Sequence, residues 1–377
     1  MPSHPVPDAK WALSVVVTDE FLNALAVNGI GVGIEAAEFR QTFHVPMLGA
    51  VDLSVGMTIV GVHFEMHERH GGRLHATVSA AGHIRLHGDA PMTLPGPAIV
   101  RGEILVEPKI GFAPDGAFTA VLDLAGSELV AMHFDGIEGI DGDADAQAQM
   151  GQLLFATIGG ELFKGLAEQM GNVGIVLGAD QGRVLGELGV ATGPADVEVA
   201  DGHMVVGLPA VHGLHGHAEV EQMTGRRLRV GVAAGALSAL VSRLAEESLG
   251  VPLPIDLEVT ARDRRVGTSI RNPRLVESSV LPDLRPDLRT TIRVRLDGDQ
   301  IEFGLREAWV ELPLVPAPVN RLGRWLGGIA SRAPLHLRFP AHASIPVRPD
   351  SDRQMNVTVT GLDVGDDGVT LTVDAHL

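Results

Sequence analysis

"VHFEMHERHGGRLH", residues 62–75, brings together the imidazoles and carboxylates that a metal site would use. His63 and His67 have the i, i+4 spacing with which a metalloprotease helix presents two ring nitrogens to zinc. That chemistry places its Glu directly after the first His. Here Phe64 holds that position and Glu65 comes one residue late. Gly71 and Gly72, set among alternating apolar residues, predict a strand pair instead of a helix. On a strand His63 and His67 share a face about 13 Å apart, too far for one metal. A site would then need His75, His83 or His87 from across the hairpin.

Other chemical motifs are weaker. "HGLHGH" carries His212, His215 and His217 in a stretch that reads as a polar junction. "DGDAD", residues 141–145, opens like a calcium loop, but Ala146 stands where that loop needs Gly and Gln152 where it needs its bidentate Glu. Helix capping accounts for it better. "NGIGVGIE" alternates glycines without forming GxGxxG, and it follows a predicted helix where a dinucleotide fold requires a strand. Neither a nucleophile elbow nor a phosphate loop is present. The residues therefore predict a protein that is not an enzyme and calls for no metal and no cofactor.

Composition narrows the class further. The 377 residues suit two domains. The apolar fraction is 45% with aromatics at 4% and no Cys or Tyr, so the core is aliphatic and disulfides are excluded. Residues 1–225 hold 9 Lys+Arg against 28 Asp+Glu, whereas residues 226–377 hold 20 against 19. An acidic first half argues against a nucleic-acid partner. Arginines of the second half, as in "RTTIRVR", suit the solvated face of a strand, transient contact with an anionic membrane, or the acidic half of another copy in a homo-oligomer. The opening "MPSHPVPDAK" lacks the pattern of a secretory signal, and no run is long and apolar enough to span a bilayer. A cytoplasmic protein is expected.

The elements that would position any site follow from periodicity. "WALSVVVTDEFLNAL" alternates Leu13, Val15 and Val17 and then places Phe21, Leu22 and Leu25 on one helical stripe. The pattern returns 215 residues downstream, with Leu228, Val230 and Val232 followed by Leu237 and Leu240. Each start precedes a meander of long strands with turns at "HGG", "PDG" and "DGD". A later helix is predicted in each half, over 145–170 and over 318–332. Closing strands come last: "ADVEVADGHMVVGL" and "MNVTVTGLDVGDDGVTLTV". The chain thus divides into a tail (1–10), a first domain (11–211), a linker (212–225) and a second domain (226–377).

This order, carried by the two starts at 13–25 and 228–240, the segment "FHVPMLGAVDLSVGMTIVGV" and the two closing strand pairs, resembles the tubular lipid-binding (TULIP) superfamily, including its bactericidal permeability-increasing protein-like and SMP-like domains. The resemblance implies an α+β fold of two tandem domains, each a long, highly twisted antiparallel sheet wrapped around a long helix. It implies non-enzymatic binding, and transport, of a lipid or other elongated apolar ligand in the groove between sheet and helix. The expected lining is Phe21, Leu25, Leu154, Ile158, Leu162 and Leu166 in the first half, and Leu237, Leu240, Leu322, Trp325, Leu326 and Ile329 in the second. The alternative is a structural or interaction protein that assembles through its acidic first half and Arg-rich second half.

Overall fold

A computed structural model of the chain describes residues 8–26, 34–35, 39–45, 49–87, 92–93, 97–113, 115–137, 172–218, 227–249, 255–260, 265–270, 287–311, 336–346, 354–365 and 368–376. Strand β1 (Trp11–Thr18) runs into helix α1 (Asp19–Ala26). There follow β2 (Ile34–Glu35), β3 (Phe39–Val45), β4 (Gly49–Glu65), β5 (Leu74–His87), β6 (Met92–Thr93), β7 (Ala98–Phe112), β8 (Phe118–Ile137) and β9 (Asn172–Leu177). Next come α2 (Ala179–Glu187), β10 (Asp196–Ala200), β11 (His203–Pro209), β12 (Arg227–Ala233) and α3 (Ala234–Leu249). The chain then adds β13 (Ile255–Thr260), β14 (Arg265–Ile270), β15 (Asp287–Asp297), β16 (Gln300–Glu311), β17 (His336–Pro340), β18 (His342–Pro346), β19 (Gln354–Val364) and β20 (Gly368–His376).

These strands build three antiparallel sheets. Eight of them, along the path β2-β4-β5-β7-β8-β9 with β3 and β6 paired at its margins, form the first. The second has five strands in the order β13-β14-β15-β16-β17, and the third has seven in the order β10-β11-β1-β12-β20-β19-β18. The seven-stranded sheet draws from both halves of the chain: β1 lies antiparallel to β12, with Leu13 opposite Val232 and Val15 opposite Val230. The two starts that repeat in the sequence therefore meet side by side.

The expectation of a sheet wrapped around a long helix is overturned. Among the described residues the α-helices are short, at 8, 9 and 16 residues, and strands dominate. Among the described residues the burial along β7 alternates for most of its first half and places the core on sheet faces. Helix α1 reaches only part of β4, contributing Phe21, Leu22 and Ala26 to a cluster made mostly of strand residues. The predicted helices at 145–170 and 318–332 lie outside the described residues.

Hairpins appear where turn residues predict them. Strands β4 and β5, of 17 and 14 residues, are joined through a single 3-10 turn at Glu68–His70. Gly71 and Gly72 follow it at φ 61° and 86°, a left-handed region that side chains avoid. Residues 211–218 cross the seven-stranded sheet on the way to β12: Ala218 is buried with Trp11 and Ala233, and the Ser14 hydroxyl donates to the Ala218 carbonyl. This described part of the junction is docked on the sheet.

Candidate ligand-binding face

The four long strands β4, β5, β7 and β8 sort their residues by face. From β4, Val55, Met57, Ile59 and Phe64 are buried, as is Met66 just beyond its end. Opposite them β5 offers Leu74, Ala76, Val78 and Ala80, and β7 continues with Ala98, Val100, Ile104 and Val106, all buried in the same cluster. A bulge between Ile59 and Gly61 keeps this set on one side: without the extra residue Val60, every later side chain of β4 would turn over. Val60 is the residue expelled, at 44% exposure. Along β8 the apolar surface carries on through Leu122, Leu129 and Met132, which are partly buried against the cluster. Pairing of β8 with β9 is confined to Phe118–Asp123, so Leu129 and Met132 lie beyond it.

Helix α1 closes one end of this wall. Its first turn carries Asp19 and Glu20, which favour the positive end of the helix dipole, and the Thr18 hydroxyl accepts from the Phe21 N–H at 3.2 Å as an N-cap. Asn23 then fixes the helix to β4 by two bonds: its Nδ2 donates to the Phe64 carbonyl at 2.9 Å and its Oδ1 accepts from the Phe64 N–H at 2.6 Å.

The opposite face of the same strands is polar and titratable. Glu65 on β4 stands directly across from His75 on β5. Its carboxylate lies 3.8 Å from His63 Nε2, 3.5 Å from His67 Nε2 and 3.4 Å from His75 Nδ1. Glu103 on β7 extends the series, 3.6 Å from His75 Nε2 and 3.3 Å from His133 Nε2 on β8. His67 also faces Asp201 at 3.6 Å, in the β10–β11 turn. His63 and His67 thus converge on Glu65, yet among the described residues no group of three or more His, Asp or Glu side chains is arranged to hold a metal ion.

Burial opposes the charge on Glu65. Hydrogen bonds from His67 and His75, with the charges of His75 and His63, outweigh it and hold the carboxyl below its ordinary 4.5. His70 is pushed below its ordinary 6.5 by burial first, then by Arg69, His75, His67 and Arg73. Both shifts mean that the unfolded chain binds the proton more readily. The stability they contribute is full above the ordinary values, and it is lost as pH falls, below 6.5 for His70 and below 4.5 for Glu65. Thermal melting as a function of pH is expected to show this decline, and Glu65→Gln should flatten its more acidic part. Parallel curves for the two proteins would contradict the assignment.

The residues expected to line a groove have different fates. Phe21 is buried at 5% exposure within the strand cluster. Leu237 packs in a second, smaller cluster with Val259, Val294 and Val369. Leu240 is exposed at 37%. The side chain of Leu25, and all of Leu154, Ile158, Leu162, Leu166, Leu322, Trp325, Leu326 and Ile329, lie outside the described residues. Sequence reasoning missed Asn23, Glu103 and His133. The same-face placement of His75 and Glu103 needs the register between β5 and β7, which alternation within one strand does not supply.

What the described residues define is a sheet-dominated antiparallel protein with a continuous apolar wall and a charged outer surface. No protein-family model matches the chain, and no curated protein matches it. Among solved structures it is similar to one titled "Crystal structure of lipopolysaccharide binding protein", with a TM-score of 0.34 and 13% identity, over 97% of this chain and 99% of that chain. No described helix is long and apolar enough to cross a membrane.

Proposed function

We propose that this chain is a non-enzymatic binding protein for a lipid or similar elongated apolar molecule, held along the inner face of β4, β5, β7 and β8. The observation that carries the reading is the composition of that face. Val55, Met57, Ile59, Ala76, Val78, Ala80, Val100 and Ile104 present no side-chain hydrogen-bonding group, and Leu122, Leu129 and Met132 extend the surface toward partly exposed ground. Such a wall selects by burial alone, at about 0.8 kcal/mol per ligand methylene. Its small residues, Ala76, Ala80 and Ala98, keep the strand surface low where an acyl chain would run. Transport follows if the ligand enters and leaves along the β8 side.

Native mass spectrometry and organic extraction of freshly purified protein test this reading. The expected result is a co-purifying acyl-chain ligand, with saturable uptake of a fluorescent fatty acid by the stripped protein. A protein that yields no apolar molecule and takes up no probe refutes it.

A further inference from the structure

The polar face of the long strands ends at a junction between two sheets. At the tip of the β4–β5 hairpin the Gly202 N–H donates to the Met66 carbonyl at 3.1 Å, and the Glu68 N–H donates to Asp201 Oδ1 at 3.4 Å. The same turn reaches α1, where the Asp19 N–H donates to the Gly202 carbonyl at 3.2 Å. Gly202 thus joins the hairpin tip to the helix that closes the apolar wall, and the eight-stranded sheet to the seven-stranded one.

Two imidazoles near this junction each meet a carboxylate at both ring nitrogens. His67 has Glu65 at 3.5 Å from Nε2 and Asp201 at 3.6 Å from Nδ1. His75 has Glu65 at 3.4 Å from Nδ1 and Glu103 at 3.6 Å from Nε2. A neutral imidazole carries one N–H, so it serves one carboxylate and turns a lone pair toward the other; the imidazolium serves both. His63 and His133 end the series with one carboxylate each, Glu65 and Glu103. His70 is placed differently. Its ring stacks on His75 with centroids 5.6 Å apart, and its Nε2 accepts from Arg69 Nε at 3.3 Å. An accepting nitrogen carries no proton. Burial, then the charges of Arg69, His75, His67 and Arg73, hold His70 below 6.5. Arg73 is itself paired with Glu128 on β8.

We propose that His67, backed by His75, is a pH-operated clasp: with both nitrogens protonated it ties Glu65 of the hairpin to Asp201 of the β10–β11 turn. Imidazoles change charge between about pH 5 and 8, so the clasp tightens as pH falls through that range. It opens again when Glu65 loses its charge. Burial opposes that charge, but His67, His75 and His63 hold the Glu65 carboxyl below 4.5. The clasp favours the protonated ring, so its contribution is present at lower pH and lost as pH rises, opposite in sign to that of His70. Global melting mixes the two signs, and a local readout separates them. The clasp requires no ligand, so it and the binding reading stand or fall separately.

Hydrogen exchange on the full chain, corrected for the intrinsic pH dependence of amide exchange, provides that readout. The Gly202 N–H reports the junction, and the Val359 N–H, which donates to the Ala341 carbonyl, reports a remote site. Protection of Gly202 is expected to rise about threefold from about pH 8 to about pH 5.5, the scale of an exposed ion pair, and to fall again toward about pH 4. Protection of Val359 should not follow the rise. Asp201→Asn removes the charge and keeps an acceptor for the Glu68 N–H at an exposed position. That variant is expected to fold and to show a flat Gly202 profile between about pH 8 and 5.5. A flat profile in the wild type, an equal rise at Val359, or an undiminished rise in the variant overturns the proposal.

Discussion

Phe64→Ala is expected to reduce the unfolding free energy by about 3–5 kcal/mol, the usual cost of emptying a fully buried aromatic position. Phe64 is 2% exposed on β4, opposite Ala76, where the apolar wall meets α1. Ala76 is too small to collapse into the vacated space, and the backbone is held by both bonds to Asn23. Relaxation should therefore be limited. Urea unfolding should show a lower midpoint at unchanged slope, and a loss under about 1 kcal/mol would mean that this junction is not packed as described.

Gly231→Ala is expected to cost about 1–3 kcal/mol through overpacking. Its Cβ would collide with the Ala218 carbonyl oxygen and come within 2.7 Å of Ser14 Oγ, the two groups that hold the crossing segment to the seven-stranded sheet. Backbone and a buried hydroxyl cannot step aside as a flexible side-chain tip does. Gly61→Ala is the control, because nothing lies within 4 Å of a Cβ there; it should change stability by no more than about 0.5 kcal/mol. The Gly231 variant should also be cut faster by protease within 211–226. Equal stability of the two variants would show that the close approach is not a constraint.

Local features of this fold were legible in the sequence, and long-range ones were not. Both strand-to-helix starts and the long hairpins around "HGG" and "DGD" follow from alternation and turn residues, and they stand where expected. Leu240 shows a limit of pattern matching. It repeats Leu25 at the fixed offset, but α3 packs through Ala234, Leu237 and Val241, a stripe set by the sheet beneath it, and Leu240 falls off that stripe. The long-helix expectation rested on periodicity at 145–170 and on family likeness, not on any partner visible in the sequence. Strand order is likewise invisible locally: nothing within "RLRVGVA" or "WALSVVVT" says that each will be the other's neighbour.

That neighbour relation has a symmetry. At the 215-residue offset Val230 is the counterpart of Val15, and the two are paired; Ser14 faces Gly231, the counterpart of Val16, while Val16 faces Arg229, the counterpart of Ser14. Outward from this pair, β11 and β10 on one side answer β20 and β19 on the other. Each position contacts the partner's equivalent reciprocally, which is the rule of an isologous interface between identical subunits. The centre of the seven-stranded sheet thus has, within one chain, the reciprocal register of such a contact, with a local two-fold axis between Val15 and Val230. Because β1 and β12 belong to one polypeptide, their pairing is intramolecular and independent of protein concentration.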